Sequence, residues 1–141
     1  MNVYAESSAV LRWLLGQARA EEVRQILNDA DVVVTSTLTL VESDRALIRG
    51  AALNEMSRKE SDASRFQLNT SALGWAIIPL DDETLKGARQ AFPSEPVRTL
   101  DALHLASAVT ARDAMGELVV LSLDAVIRKN ASALGFEVLP A

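Results

Sequence analysis

The chain has no cysteine and a single histidine, His104, in 141 residues. The first absence excludes disulfides and thiolate metal sites, and nothing points to an oxidising compartment. Together the two leave oxygen as nearly the only ligand atom on offer to a metal. Aromatic residues are scarce at 4%, so Trp13, Trp75 and Phe66 are assigned to the core rather than to platforms for stacked bases. No apolar run approaches the roughly 18 residues that span a bilayer. The N-terminus opens on strand-forming residues instead of a basic leader with an apolar segment. The expectation is a cytoplasmic protein with no membrane partner. A Gly-rich phosphate loop, an HExxH pair and a Ser-His-Asp set are also missing, as are repeats and low-complexity tracts.

What is present is an ordinary globular composition, 49% hydrophobic and 23% charged, in a chain long enough for one self-sufficient core. Net charge is −5, from 19 acids against 14 bases, which by itself argues against a nucleic-acid partner. Four of those acids are singled out below; without them fifteen remain against 14 bases, close to balance. Arginine supplies most of the bases, and its planar fork suits phosphate oxygens. Charge therefore neither favours nor forbids a nucleic-acid substrate.

Taken in order, Asn2-Val3-Tyr4-Ala5 reads as a strand ended by Glu6, and Ser7 or Ser8 as the cap of a helix from Ala9 to Leu15. A second helix runs from Ala20 to Asp29 with Val23, Ile26 and Leu27 inward. Val32 to Thr35 is a continuous β-branched run, the signature of a strand covered on both faces. Thr39 is expected to cap a helix from Leu40 to Leu53, with Glu42 in its first turn. A helix from Arg58 to Leu73 follows, with Phe66 and Leu73 inward, then a strand from Trp75 to Pro79 and a helix capped by Asp82 that runs to about Phe92. Pro93-Ser94-Glu95-Pro96 delivers the chain to a helix capped by Thr99, with Asp101 in its first turn and Leu100, Leu103 and Ser107 on one stripe. Leu118 to Leu121, a helix from Ala125 to Leu134 and Phe136 to Leu139 complete the chain. Alternating strands and helices predict a three-layer α/β/α sandwich around a mainly parallel sheet of about five strands, one domain over residues 1–141.

In such sheets ligands bind beyond the carboxyl ends of the strands. Glu6 and Asp124 follow strands at that edge, while Glu42 and Asp101 open helices that leave it. Each acid alone suits an ordinary role as a cap, a partner of a helix dipole or a loop charge. Gathered together, they would repel one another and need a cation. An all-oxygen set selects Mg²⁺ or Mn²⁺. A hard ion with few protein ligands keeps open positions, from which it can activate a water and clamp a scissile phosphate. Ser122, two residues before Asp124, is placed to orient a water or a carboxylate. His104, one turn after Asp101 on an apolar helix, reads as a satisfied core histidine.

The segments Val3-Tyr4-Ala5-Glu6-Ser7-Ser8-Ala9, Leu38-Thr39-Leu40-Val41-Glu42, Arg98-Thr99-Leu100-Asp101-Ala102-Leu103-His104-Leu105-Ala106 and Leu121-Ser122-Leu123-Asp124 resemble, in order, the four acidic motifs of PIN-domain ribonucleases. They are most similar to the small VapC-type toxins of bacterial toxin–antitoxin pairs. The resemblance implies a PIN-like domain, metal-dependent endonucleolytic cleavage of RNA, a cognate antitoxin and a homodimer. It makes Glu6, Glu42, Asp101 and Asp124 the catalytic and metal-site acids, with Ser122 as their polar neighbour. The departure is Glu6, one methylene longer than the Asp usual there. A catalytically weakened PIN domain that binds RNA or a protein is the alternative, and a metal-dependent phosphatase or deoxyribonuclease a second.

Overall fold

The computed structural model describes all 141 residues. Its elements are β1 (Asn2–Ala5), α1 (Ser7–Leu14), α2 (Ala20–Asp29), β2 (Val32–Ser36), α3 (Thr37–Ala52), α4 (Arg58–Ala72), β3 (Ala76–Ile78), α5 (Asp82–Ala88), α6 (Thr99–Met115), β4 (Val119–Leu121), α7 (Ala125–Ala133) and β5 (Glu137–Leu139). All strand pairs are parallel and the sheet order is β3-β2-β1-β4-β5. The expected sandwich and strand count are borne out. No helix is long and apolar enough to cross a membrane.

Side-chain alternation along the central strands divides the core between two faces. Val3, Ala5, Val33, Val119 and Leu121 pack with Ala9, Val10, Leu14, Val23, Leu27, Leu47 and Leu68 from α1 to α4. Tyr4, Val34 and Val120 face the other way, against Leu105, Ala108 and Ala111 of α6 and Ile127 and Ala131 of α7. Because both faces are covered, the strands read as unbroken apolar runs. At about 25 cal/mol per Å² of apolar surface removed from water, these two layers supply the dominant favourable term of folding.

The strand order decides where a ligand can sit. From β1 the chain moves outward to β2 and β3, then returns across the sheet to β4 and continues to β5. The order therefore reverses between β1 and β4, and a crevice opens beyond their carboxyl ends. Glu6 follows β1 directly and Ser122 follows β4 directly.

The structure corrects several caps. Glu6, not Ser7 or Ser8, caps α1 by accepting the Ser8 amide, and Ser36, not Thr39, caps α3. Glu42 therefore lies in the second turn of α3. Asp81 caps α5 in place of Asp82, and α6 has no side-chain cap, its cap position falling on Arg98 rather than Thr99. Leu100, which shares a stripe of α6 with Leu103 and Ser107, is exposed. Phe66 and Leu73 also point outward, 74% and 88% exposed. The inward stripe of α4 is instead Ser61 and Leu68, with the Ser61 hydroxyl donating to the Leu47 carbonyl of α3 at 2.8 Å. A small, hydrogen-bonded residue lets two helices approach more closely than an aromatic ring would.

Candidate active site

Glu6 lies on the floor of the crevice and is only 3% exposed. A carboxylate removed from water needs donors, and this one has four. Its Oε1 accepts the Ser7 hydroxyl at 2.8 Å and the Ser8 amide at 3.0 Å. Its Oε2 accepts the Ser122 hydroxyl at 2.7 Å and that of Ser8. Ser8 Oγ in turn accepts the Leu123 amide at 2.9 Å. Backbone pairing holds the same corner, with the Glu6 amide donating to the Leu121 carbonyl at 3.0 Å.

Asp124 is held by its own role as cap of α7. Its Oδ1 accepts the Ile127 amide at 2.9 Å, and its amide donates to Ser122 Oγ at 3.1 Å. Oδ2 has no protein partner. Arg128 fastens the loop from beneath by donating to the Ser122 and Pro140 carbonyls at 2.8 Å each.

Glu42 reaches in from α3, its side chain 25% exposed. Its Oε1 meets His104 Nε2 at 2.5 Å and the Ser7 hydroxyl at 3.4 Å. Ser7 thus touches both Glu6 and Glu42, linking the first two acidic segments. Asp101 makes no hydrogen bond. Burial pushes its carboxyl above the usual range, the charges of Asp124, Glu6 and Glu42 push the same way, and His104 opposes them. Glu42, Asp101 and Asp124 line one depression with Arg98, Thr99 and Leu100 at its rim.

All five residues singled out in the sequence thus meet at one edge of the sheet. Two contributors were missed: Ser7, which reads as a mere cap, and His104, which is a buried, satisfied histidine as expected but has a site carboxylate as its partner. Only the long-range fold brings α6 against β1 and α3, so no local signal exposed that contact.

The donor set suits a hard divalent ion. Glu42, Asp101 and Asp124 each keep a carboxylate oxygen without a protein partner, and the upward shift at Asp101 is what a cation would relieve. Glu6 differs, since both its oxygens are engaged. No three of these side chains are drawn together closely enough to ligate one ion at once.

Residues 3–133 match the PIN domain family, and the chain belongs to that family. Over 141 residues it is 25% identical to ribonuclease VapC35 of Mycobacterium tuberculosis, covering 97% of this chain and 95% of that protein. Among solved structures the fold is shared with VapC20 of M. tuberculosis, a sarcin–ricin-loop-cleaving toxin, at TM-score 0.63 and 17% identity over 95% of both chains. It is shared too with a toxin–antitoxin complex from Klebsiella pneumoniae, at TM-score 0.64 and 14% identity over 98% of this chain and 96% of that one. VapBC2 of Rickettsia felis, bound to a DNA fragment from its promoter, aligns at TM-score 0.64 and 7% identity over 98% and 97%.

Proposed function

We propose that this chain is a single PIN-like domain over residues 1–141 and a Mg²⁺- or Mn²⁺-dependent endoribonuclease, the toxin of a type II toxin–antitoxin pair. The observation that carries the reading is the lifted carboxyl of Asp101, where burial and the charges of Asp124, Glu6 and Glu42 outweigh the opposing His104. A fold gains nothing from such repulsion unless an ion is to be bound. The near full-length likeness to a protein named a ribonuclease supports the reaction class.

In this reading Asp101, Asp124 and Glu42, which stand apart in the structure, would draw in to hold the ion through their open oxygens, with Glu6 adding its charge from below. Such an ion, when bound, lowers the pKa of water and neutralises charge on a phosphodiester. Ser122 keeps Glu6 and the Asp124 loop in register. Arg98, exposed at the rim and in no ion pair, is placed to take a phosphate oxygen. Arg45 and Arg49 follow Glu42 at positions three and seven further along α3, on the same helix face, and are likewise exposed. They extend a track for an RNA backbone away from the acids.

The partners are RNA, a cognate antitoxin and a second copy of the chain. Two structural neighbours are toxin–antitoxin assemblies, which supports the antitoxin. The outward stripe of Phe66 and Leu73 on α4 offers it an apolar surface. An apolar groove between α5 and α6, lined by Leu85, Val97 and Leu103, suits the second copy.

Purified protein should cleave RNA with Mg²⁺ or Mn²⁺, stop with EDTA, and lose most of its rate on Asp101→Asn with the fold intact. Cleavage that survives EDTA would overturn the metal mechanism. The engaged oxygens of Glu6 favour one other reading, a weakened PIN domain that binds RNA or a protein without cutting. In that case metal-loaded wild type binds RNA but leaves it uncut.

A further inference from the structure

Beyond the acids, the crevice contains one buried ring whose polar atoms are all committed. His104 is 1% exposed. Its Nδ1 lies 3.1 Å from the Tyr4 hydroxyl and its Nε2 2.5 Å from Glu42 Oε1. The ring also packs edge-on against Tyr4, centroids 6.3 Å apart. We propose that His104 is a positioning residue, which fixes the Glu42 side chain through its Nε2–H and so keeps Glu42 Oε2 available to the cleft shared with Asp101 and Asp124. This rests on the metal-dependent reading of the site given above.

The polarity of the contacts follows from what each group can do. An ionised carboxylate only accepts, so Nε2 must carry the proton. Nδ1, on the other side of the ring, meets the Tyr4 hydroxyl. Tyr4 is fully buried, and that burial raises its pKa well above the usual phenol range, with the Glu6 and Glu42 charges adding to the effect. It therefore keeps its proton. Both ring nitrogens and the Tyr4 hydroxyl are thereby paired. The three residues come from β1, α6 and α3, so the contact locks together the elements that present the acids.

A histidine that merely filled the core would need no carboxylate partner, and a leucine would serve there as well. Glu42 needs a partner for another reason. Its side chain has three rotatable bonds, and its neighbours Asp101, Asp124 and Glu6 repel it. Without a donor on Oε1, repulsion would swing it toward solvent and away from the ion. Hydrogen bonds of this kind to metal-binding carboxylates typically matter about 10- to 100-fold in affinity.

Because His104 is the only histidine in the chain, ¹⁵N-histidine labelling reports on it without ambiguity. In wild type the Nε2-protonated ring should be observed, and its resonances should move when Mg²⁺ saturates the site. They should not move in Asp101→Asn at the same Mg²⁺ concentration. Calorimetry with Mn²⁺ should give affinity at least about tenfold weaker for His104→Leu. His104→Gln, which keeps an N–H donor, should stay within about threefold of wild type. Wild-type resonances that ignore saturating Mg²⁺, or a folded His104→Leu protein that binds Mn²⁺ as wild type does, would overturn the proposal. Should His104→Leu fail to fold, the wild-type resonances still decide. Wild type that binds neither ion would instead sink the metal reading itself, an outcome that needs no variant to recognise.

Discussion

Ser122 Oγ donates to Glu6 Oε2 at 2.7 Å and accepts the Asp124 amide at 3.1 Å, so one hydroxyl couples the carboxylate after β1 to the acid that caps α7. Hydrogen bonds to a buried charge are worth about 1.5–3 kcal/mol each. Ser122→Ala should therefore lower stability by about that amount in denaturant titration. Glu6→Asp keeps a carboxylate near the Ser8 amide but shortens its reach to Ser122, and should cost a similar amount. The two losses overlap, so the double variant should cost clearly less than the sum of the singles. Additive losses would mean that the pair does not interact in solution.

Asp101 makes a second prediction, for the metal-free protein. Burial and the neighbouring carboxylates raise its folded-state pKa above the unfolded one. Between the two values the folded state binds more protons, so stability falls as pH rises through that window. The penalty is absent below the unfolded pKa and complete above the folded one. Asp101→Asn removes this contribution, so the gap in melting temperature between variant and wild type should widen with pH across the window, the variant being the more stable. Millimolar Mg²⁺ or Mn²⁺ should raise the melting temperature of wild type by mass action and leave the variant nearly unmoved. A gap that stays constant with pH would show that Asp101 does not feel its neighbours.

How far the sequence exposes this arrangement depends on the range of the interactions. The β-branched run Val32–Thr35 and the strand-forming Asn2–Ala5 reveal the sheet because strands buried on both faces need continuous apolar residues. The acids were legible because they fall at strand ends and in early helical turns. Cap identities were harder: Glu6 and Ser36 each end a strand and start a helix at once, so neither looks like the polar residue that precedes an apolar run. The His104–Glu42 contact spans 62 positions and has no local signature.

The arginines beside the acids make a third prediction. Arg98, Arg45 and Arg49 are exposed and in no ion pair. If each neutralises one phosphate, each change to Gln should weaken RNA binding without regard to sequence and reduce the slope of log affinity against log salt by about 0.7 for a single strand. The maximal cleavage rate should change far less than the apparent affinity. As a control, Arg24, which is engaged with Glu21 and lies on α2, should change neither when replaced by Gln. A salt slope unaffected by all three changes would remove α3 and the rim of the crevice from the RNA path.

The two faces of α4 supply the last test. Phe66 and Leu73 lie seven residues apart on one stripe, and their apolar side chains put that stripe inward on sequence grounds, although Leu68 is as apolar as Leu73. The structure turns that stripe outward and buries Leu68 completely, beside Ser61. The two orientations predict opposite stabilities. With Phe66 74% exposed, Phe66→Ser should change unfolding free energy by less than about 0.5 kcal/mol. Leu68→Ala, at a site with no exposure, should cost about 2–5 kcal/mol because the surrounding helices cannot close the cavity. Chemical denaturation of the two variants at low protein concentration separates the cases, and dilution matters. If Phe66 is covered by a second copy of the chain, its replacement would destabilise the protein in a concentration-dependent way. A large, concentration-independent loss at Phe66 with little loss at Leu68 would mean that α4 is rotated about its axis, and the apolar surface assigned here to a partner would belong to the core.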